Sequence, residues 1–245
     1  MEPIIRIKGL KKIYRVGEEK VRALNGVDLD IFPGEFVCII GRSGSGKSTL
    51  LNMMAGLEKP TRGSIVIAGK HLEKMSEARL VKFRLEHIGF IFQQFNLFPA
   101  MTALENVTMP LVYRGVGVKK RKAAAEKMLK ALGLEKHLHH KPSQMSGGQQ
   151  QRVGIARALV AAPEVIFADE PTGNLDSRTS EEILDLMRSI TRQHGNTLVM
   201  VTHDPTVAAH ADRVITILDG VIIDITDNSA AHPTDTHPLN EEEPA

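Results

Sequence analysis

Gly41-Arg-Ser-Gly-Ser-Gly-Lys-Ser-Thr49 decides how this chain is read. It fits the pattern G-x-x-x-x-G-K-[ST], in which a glycine-rich loop turns successive backbone N–H groups onto phosphate oxygens. Gly41, Gly44 and Gly46 are expected to take strained turn conformations, and the helix that follows adds its positive N-terminal end. In this reading Lys47 reaches the outer phosphates and Ser48 ligates Mg²⁺. The candidate nucleotide site therefore comprises Gly41, Arg42, Ser43, Gly44, Ser45, Gly46, Lys47, Ser48 and Thr49. The flanks agree with it. Phe36-Val37-Cys38-Ile39-Ile40 is a continuous apolar run, as in a strand buried on both faces, and Leu50, Leu51, Met53, Met54 and Leu57 follow at helical spacing.

At 245 residues, with 42% hydrophobic and 24% charged content, the chain can bury one large core or two small ones without staples. Its single cysteine, Cys38, lies inside the buried run, so a disulfide framework is excluded and a reducing compartment is natural. A formal charge of +2 is too small to argue for a nucleic-acid surface, and no nucleic-acid partner is expected. Trp is absent and aromatics make up only 4%, which disfavours base-stacking platforms. No apolar run approaches a membrane span, and Met1-Glu2-Pro3 opens no signal peptide. Any membrane association is expected to come through a partner.

Residues Ile4 to Leu10 and Val27 to Ile31 alternate apolar and polar, as strands with one wet face do, and Pro33-Gly34 turns into the phosphate-loop strand. An antiparallel rim is expected ahead of the nucleotide core. Tyr14, placed just after the first strand, reads either as a packing residue or as a ring able to stack on an adenine face. Ile65-Val66-Ile67 reads as a short strand, Ser76 to Glu86 as a helix, and Ile88 to Phe92 as another apolar strand running into Gln93. A glutamine at a strand's carboxyl end can orient a water or ligate a metal.

Between Phe95 and Pro163 helical patterns dominate, opening with the capping-box spacing of Thr102 and Glu105, and this region reads as a helical insertion at roughly 95–163. His137-Leu-His139-His140 has no nearby Cys or carboxylate to complete a metal set and reads as a solvated helix end. Met145-Ser146-Gly147-Gly148-Gln149 precedes an apolar helix. Ser146 is a good N-cap, and the paired glycines leave the helix N-terminus uncovered as a second anion site.

Val165 to Ala168 is a buried strand ending in Asp169-Glu170. Adjacent carboxylates on a strand point to different sides, so Asp169 is assigned to Mg²⁺ and Glu170 to polarising the attacking water. Asn174-Leu175-Asp176 follows in a loop, and Ser177 to His194 has helical spacing, closing at Gly195. Thr197 to Val201 then leads to His203, on the same sheet edge as Gln93, Asp169 and Glu170, where it could donate to a terminal phosphate. Val214 to Leu218 and Val221 to Ile225 read as a closing hairpin, which ends a unit spanning 1–227. From Asn228 to Ala245 the composition cannot offset its ordering entropy, and a disordered acidic tail is expected.

The phosphate loop, Gln93, Met145 to Gln149, Asp169-Glu170, Asn174 to Asp176 and His203 occur in an order that resembles the ATP-binding-cassette ATPases. The likeness runs from about Ile4 to Ile225. Met145 departs from the leucine usual in that signature. Phe92 to Pro99, Thr102 to Val107 and Asp169 to Asp176 are similar to the branch of macrolide-exporter, lipoprotein-release and cell-division ATPases. The resemblance implies an α/β fold: a mainly parallel phosphate-loop NTPase core with an antiparallel β rim and an inserted helical subdomain.

It further implies a subunit that binds ATP between two head-to-tail copies, each ATP meeting the loop of one and Ser146 to Gly148 of the other. Hydrolysis then drives a separate membrane permease from the cytoplasmic face of the membrane. Under that resemblance Tyr14 stacks on adenine, Gln93 links metal and water to the membrane subunit, Asp176 couples the two sites and His203 steadies the γ-phosphate. A soluble ATP-dependent clamp in DNA repair or translation is the alternative class, though the coiled coils, zinc modules or paired cassettes usual there are not seen.

Overall fold

Strand-forming runs and their burial sort residues 1–228, the part that this computed structural model describes, into two sheets. Residues 229–245, and with them most of the expected acidic tail, lie outside the described residues. The strands are β1 (Ile5–Val16), β2 (Glu19–Ile31), β3 (Phe36–Ile40), β4 (Arg62–Ile67), β5 (Lys70–His71), β6 (Ile88–Ile91), β7 (Val165–Asp169), β8 (Thr197–Thr202), β9 (Arg213–Leu218) and β10 (Val221–Asp227). The helices are α1 (Lys47–Met54), α2 (Glu77–His87), α3 (Ala103–Tyr113), α4 (Val118–Ala131), α5 (Gly147–Leu159), α6 (Ser177–His194) and α7 (Pro205–Ala208).

One sheet has the order β2-β1-β4-β5 and is antiparallel. The other has the order β10-β9-β3-β8-β7-β6 and is parallel except for its β9–β10 edge pair. Alternation along the central strands builds two cores. Val37, Ile39, Val165, Phe167, Val199 and Val201 face the antiparallel sheet with α1 and α2, while Cys38, Ile166, Ala168, Leu198 and Met200 face the helices of the other layer. A strand buried on both faces has no polar side to show, which is why these runs are continuously apolar. Helices α3, α4 and α5 share that second core with α6 and the sheet.

The antiparallel rim is longer than the alternation suggests. β1 and β2 pair out to Val16 and Glu19, so Tyr14 lies inside β1, opposite Val21, and not beyond its end. The overhang exposes Lys11, Arg15, Lys20 and Arg22 on one face and Val21 on the other, so no apolar period marks it in the sequence. Helix α1 stops at Met54, before Gly56 at φ 65°, and Leu57, read as part of the helical stripe, is half exposed. Elsewhere local signals fix the boundaries. Ser76 caps α2, Thr102 and Glu105 form a reciprocal capping box on α3, and Gly195 closes α6 in the left-handed conformation.

Candidate active site

Four parallel strands end on one edge and deliver the site there. β3 leads into the phosphate loop, β6 into Gln93, β7 ends at Asp169 with Glu170 next, and β8 is followed by His203. A cleft of about 530 Å³ opens between them, lined by Ser43, Gly44, Gly46, Lys47, Ser48, Thr49, Glu170 and His203, together with Val21, Arg22 and Ala23.

The loop's glycines serve different needs. Gly44 and Gly46 lie at φ 79° and 105°, where a β-carbon is costly. Gly41 does not have a positive φ, contrary to the expectation of a strained turn. It is glycine because a β-carbon there would strike the Ile217 carbonyl and come within 2.6 Å of Ser45 Oγ. The β9–β10 turn and strand β2 brace the loop from behind: Gly220 N–H donates to the Ser45 carbonyl at 2.9 Å, and Asn25 N–H donates to the Gly220 carbonyl at 2.9 Å. The Lys47 ammonium is buried and donates to the carbonyls of Gly41 (2.8 Å) and Arg42 (3.0 Å). An ammonium has three donors, so one remains for a phosphate oxygen.

Across the cleft, Glu170 is a non-glycine residue at φ 42°. It is held there by its N–H donating to the Val201 carbonyl and by Gly173 N–H donating to its own carbonyl. Strain of this kind, about 1–3 kcal/mol, persists only where the surroundings over-determine it. Its Oε1 lies 3.0 Å from His203 Nδ1. Burial pushes the neighbouring Asp169 carboxyl above its ordinary range and Glu170's charge adds to this, while Lys47 opposes it. Gln93 sits beside Gly173, whose missing β-carbon would fall 2.7 Å from the glutamine Nε2, and its carbonyl accepts from Asn174 Nδ2 at 2.9 Å.

The remaining candidates stand apart from this cleft's lining. The Tyr14 hydroxyl donates to Glu58 Oε2 at 2.7 Å and lies beside Thr49, with the Lys12 ammonium 5.0 Å from its ring centre. Ser146 and Gln149 cap α5 reciprocally, which occupies the Gln149 side chain within its own turn. Gly147 and Gly148 lie against Leu175 and Thr179, at the start of α6. Asp176 is exposed and caps α6, accepting from Thr179 N at 3.0 Å and Thr179 Oγ1 at 2.6 Å.

Two contributions escaped the sequence reading. Val21, Arg22 and Ala23 line the cleft only because β2 pairs with β1 along the overhang, and nothing in their local composition signals it. His137 is no solvated helix end: its Nε2 lies 3.2 Å from Gln149 Nε2, behind the turn that presents Ser146. Among the described residues no group of three His, Cys, Asp or Glu side chains forms a metal cluster. Ser48, Gln93 and Asp169, on the segments at the carboxyl ends of β3, β6 and β7, offer only oxygen donors: a hydroxyl, an amide oxygen and a carboxylate. That suits Mg²⁺, which keeps much of its water and binds through one or two carboxylates plus phosphates.

A family model described as ABC transporter matches residues 24–173. The chain belongs to the ABC transporter family, as its ATPase cassette. It is 50% identical over 222 residues to an uncharacterized ABC transporter ATP-binding protein of Thermotoga maritima, covering 91% of this chain and 94% of that one. It is 48% identical over 221 residues to the macrolide export ATP-binding/permease protein MacB of Wolinella succinogenes, covering 90% of this chain but 34% of the relative. The cassette thus spans about a third of the length of the macrolide-export relatives it matches. Among solved structures it resembles the ATP-binding cassette MJ0796, described as a dimeric post-hydrolysis state bound to ADP and Pi. The TM-score is 0.84 and the identity 45%, over 91% of this chain and 98% of that one. These relatives favour the cassette reading over the repair or translation clamp.

Proposed function

We propose that two copies of this cassette pair head to tail around ATP and hydrolyse it to drive a membrane-spanning permease. One observation carries this reading. The cleft holds a phosphate loop, Glu170 and His203, while the second anion site, Ser146 to Gly148, faces elsewhere at the tip of α5. One chain therefore presents two half-sites, and a second copy in inverted orientation completes both. The dimeric description of the MJ0796 cassette supports it.

In this scheme the loop N–H groups of 41–49 and Lys47 bind the phosphates, and the uncovered turn of the partner copy's signature closes over the γ-phosphate. Glu170 takes the proton of the attacking water, His203 holds the γ-phosphate and Gln93 orients the water. Asp176 reaches across the pair, and Tyr14 supports the adenine. Ser48, Gln93 and Asp169 hold Mg²⁺, which when bound neutralises charge on the phosphate oxygens. The membrane subunit docks on an apolar groove of about 430 Å³ between α2, β6, α3 and α5, whose walls include Val81, Leu85, Phe92, Phe98 and Tyr113. In this scheme the cassette works at the cytoplasmic face of the membrane. The unit acting as the cassette is 1–227, with 95–163 as its helical insertion.

Affinity capture tests the reading. Glu170→Gln protein with ATP, applied to detergent-solubilised source membranes, is expected to retain a membrane-spanning protein in stoichiometric amount, and Glu170→Gln/Phe98→Asp to lose it. Recovery of only soluble or nucleic-acid-associated partners would overturn it.

A further inference from the structure

Two residues beyond Gln93 the backbone does something costly. Phe95 and Asn96 are consecutive non-glycine residues in the left-handed region, at φ 57° and 47°, and a bulky phenylalanine is a true outlier there. Their carbonyls converge on a single side chain. Arg157 of α5 donates from Nη2 to the Phe95 carbonyl at 2.8 Å and from Nη1 to the Asn96 carbonyl at 2.5 Å. A planar guanidinium is the one side chain whose fixed fork matches two adjacent acceptors.

Among the described residues no carboxylate lies within ion-pair distance of Arg157, and the Phe92 ring lies 6.0 Å from the guanidinium carbon. A half-buried charge without a counter-ion is normally avoided, so its commitment to two strained carbonyls is informative. The same loop touches α5 twice more. The Phe95 ring reaches within 3.8 Å of where a Gly147 β-carbon would stand, and the Phe95 carbonyl within 3.8 Å of a Gly154 β-carbon. Gln93 itself lies against Gly173, in the turn that follows Glu170.

We propose that Arg157 is a positioning residue for ATP hydrolysis: it clamps Phe95 and Asn96 to α5, so that Gln93 is placed beside the Glu170 turn only in step with the helix whose tip carries Ser146 to Gly148. This rests on the reading that Gln93 acts in hydrolysis. Arg157 also lines the apolar groove, so an occupant of that groove lies against the clamp.

The test compares Arg157→Gln, Arg157→Lys, Gln93→Ala and Gln93→Ala/Arg157→Gln, using steady-state phosphate release and hydrogen exchange of the nucleotide-free proteins. Arg157→Gln is expected to lower kcat at least tenfold with KM for ATP within about twofold, because Arg157 is not part of the nucleotide cleft. Arg157→Lys, which keeps the charge but not the fork, should retain an intermediate rate. The double variant should be no slower than Gln93→Ala, since the two losses share one route. Amide exchange across residues 93–97 should rise in Arg157→Gln while β3 and β8 stay protected. Unchanged exchange in that segment, or losses that multiply in the double variant, would overturn the clamp. A Gln93→Ala protein with normal kcat would instead refute the role given to Gln93, and the exchange data would still decide the clamp.

Discussion

Replacing Gly46 with alanine should cost the fold far more than making the same change at Gly44, two residues earlier in the same loop. Gly46 lies at φ 105° and is the N-cap of α1, and a β-carbon there would stand 2.5 Å from the Ala23 carbonyl oxygen and 3.0 Å from Leu24 Cδ2. The conformational penalty is about 1–2 kcal/mol, and forcing β2 away adds about 1–3 kcal/mol of overpacking. Gly44 lies at φ 79° with nothing within 4 Å of its would-be β-carbon, so only the first penalty applies. The expected losses are then about 2–5 kcal/mol against about 1–2 kcal/mol. For a chain of this size each kcal/mol moves Tm by about 2–4 °C. Thermal and urea unfolding of the nucleotide-free variants read the difference directly, and the ATP-dependent rise in Tm reports the remaining affinity. If Gly44→Ala proves as damaging as Gly46→Ala, close approach of β2 is not what fixes the loop and the reasoning fails.

Three further outcomes follow from buried polar groups. Asp169's carboxyl is raised by burial and by Glu170, so it lends stability below its unfolded pKa and loses it as pH rises through the higher folded value. Nucleotide-free Asp169→Asn should therefore melt above the parent at pH 8, with the gap closing below about pH 4; a lower Tm at pH 8 would refute this. Gln151 on α5 is fully buried, and neither its amide nitrogen nor its oxygen makes a hydrogen bond, so Gln151→Met should stabilise the chain by about 1–3 kcal/mol in urea unfolding. An unchanged or reduced midpoint would show the amide to be satisfied. Burial pushes the Cys38 thiol up to about 12, and an aromatic disulfide reagent at pH 8 should label it only after unfolding. Rapid labelling of the native protein would contradict its place in the core.

Much of the architecture was legible because the central strands are buried on both faces and announce themselves as short apolar runs, each with its chemistry at the carboxyl end. Gln93, Asp169, Glu170 and His203 could be placed on one edge from order alone, since parallel strands joined by helices all point the same way. The β1–β2 overhang was not legible: most of its side chains are charged or at least partly exposed, so pairing, not hydrophobic period, makes it a strand, and it carries Arg22 into the cleft unannounced. Gly41 was misjudged for a related reason. Its requirement for glycine comes from Ile217, which is remote in sequence and brought close by β9 beside β3. The occupation of Gln149 in its own capping turn was readable in principle, as Ser146 and Gln149 have capping-box spacing.

The central claim is that the two anion sites of one chain serve two different nucleotides through a second copy. Size-exclusion chromatography with light scattering on Glu170→Gln protein measures it most directly, because loss of the base function proposed for Glu170 should slow turnover by about 10²–10⁴-fold and leave binding intact. With saturating Mg·ATP the protein is predicted to elute at the mass of a dimer, and Ser146→Arg in the same background to restore the monomer. A strictly monomeric Glu170→Gln protein at saturating ATP would contradict the sandwich.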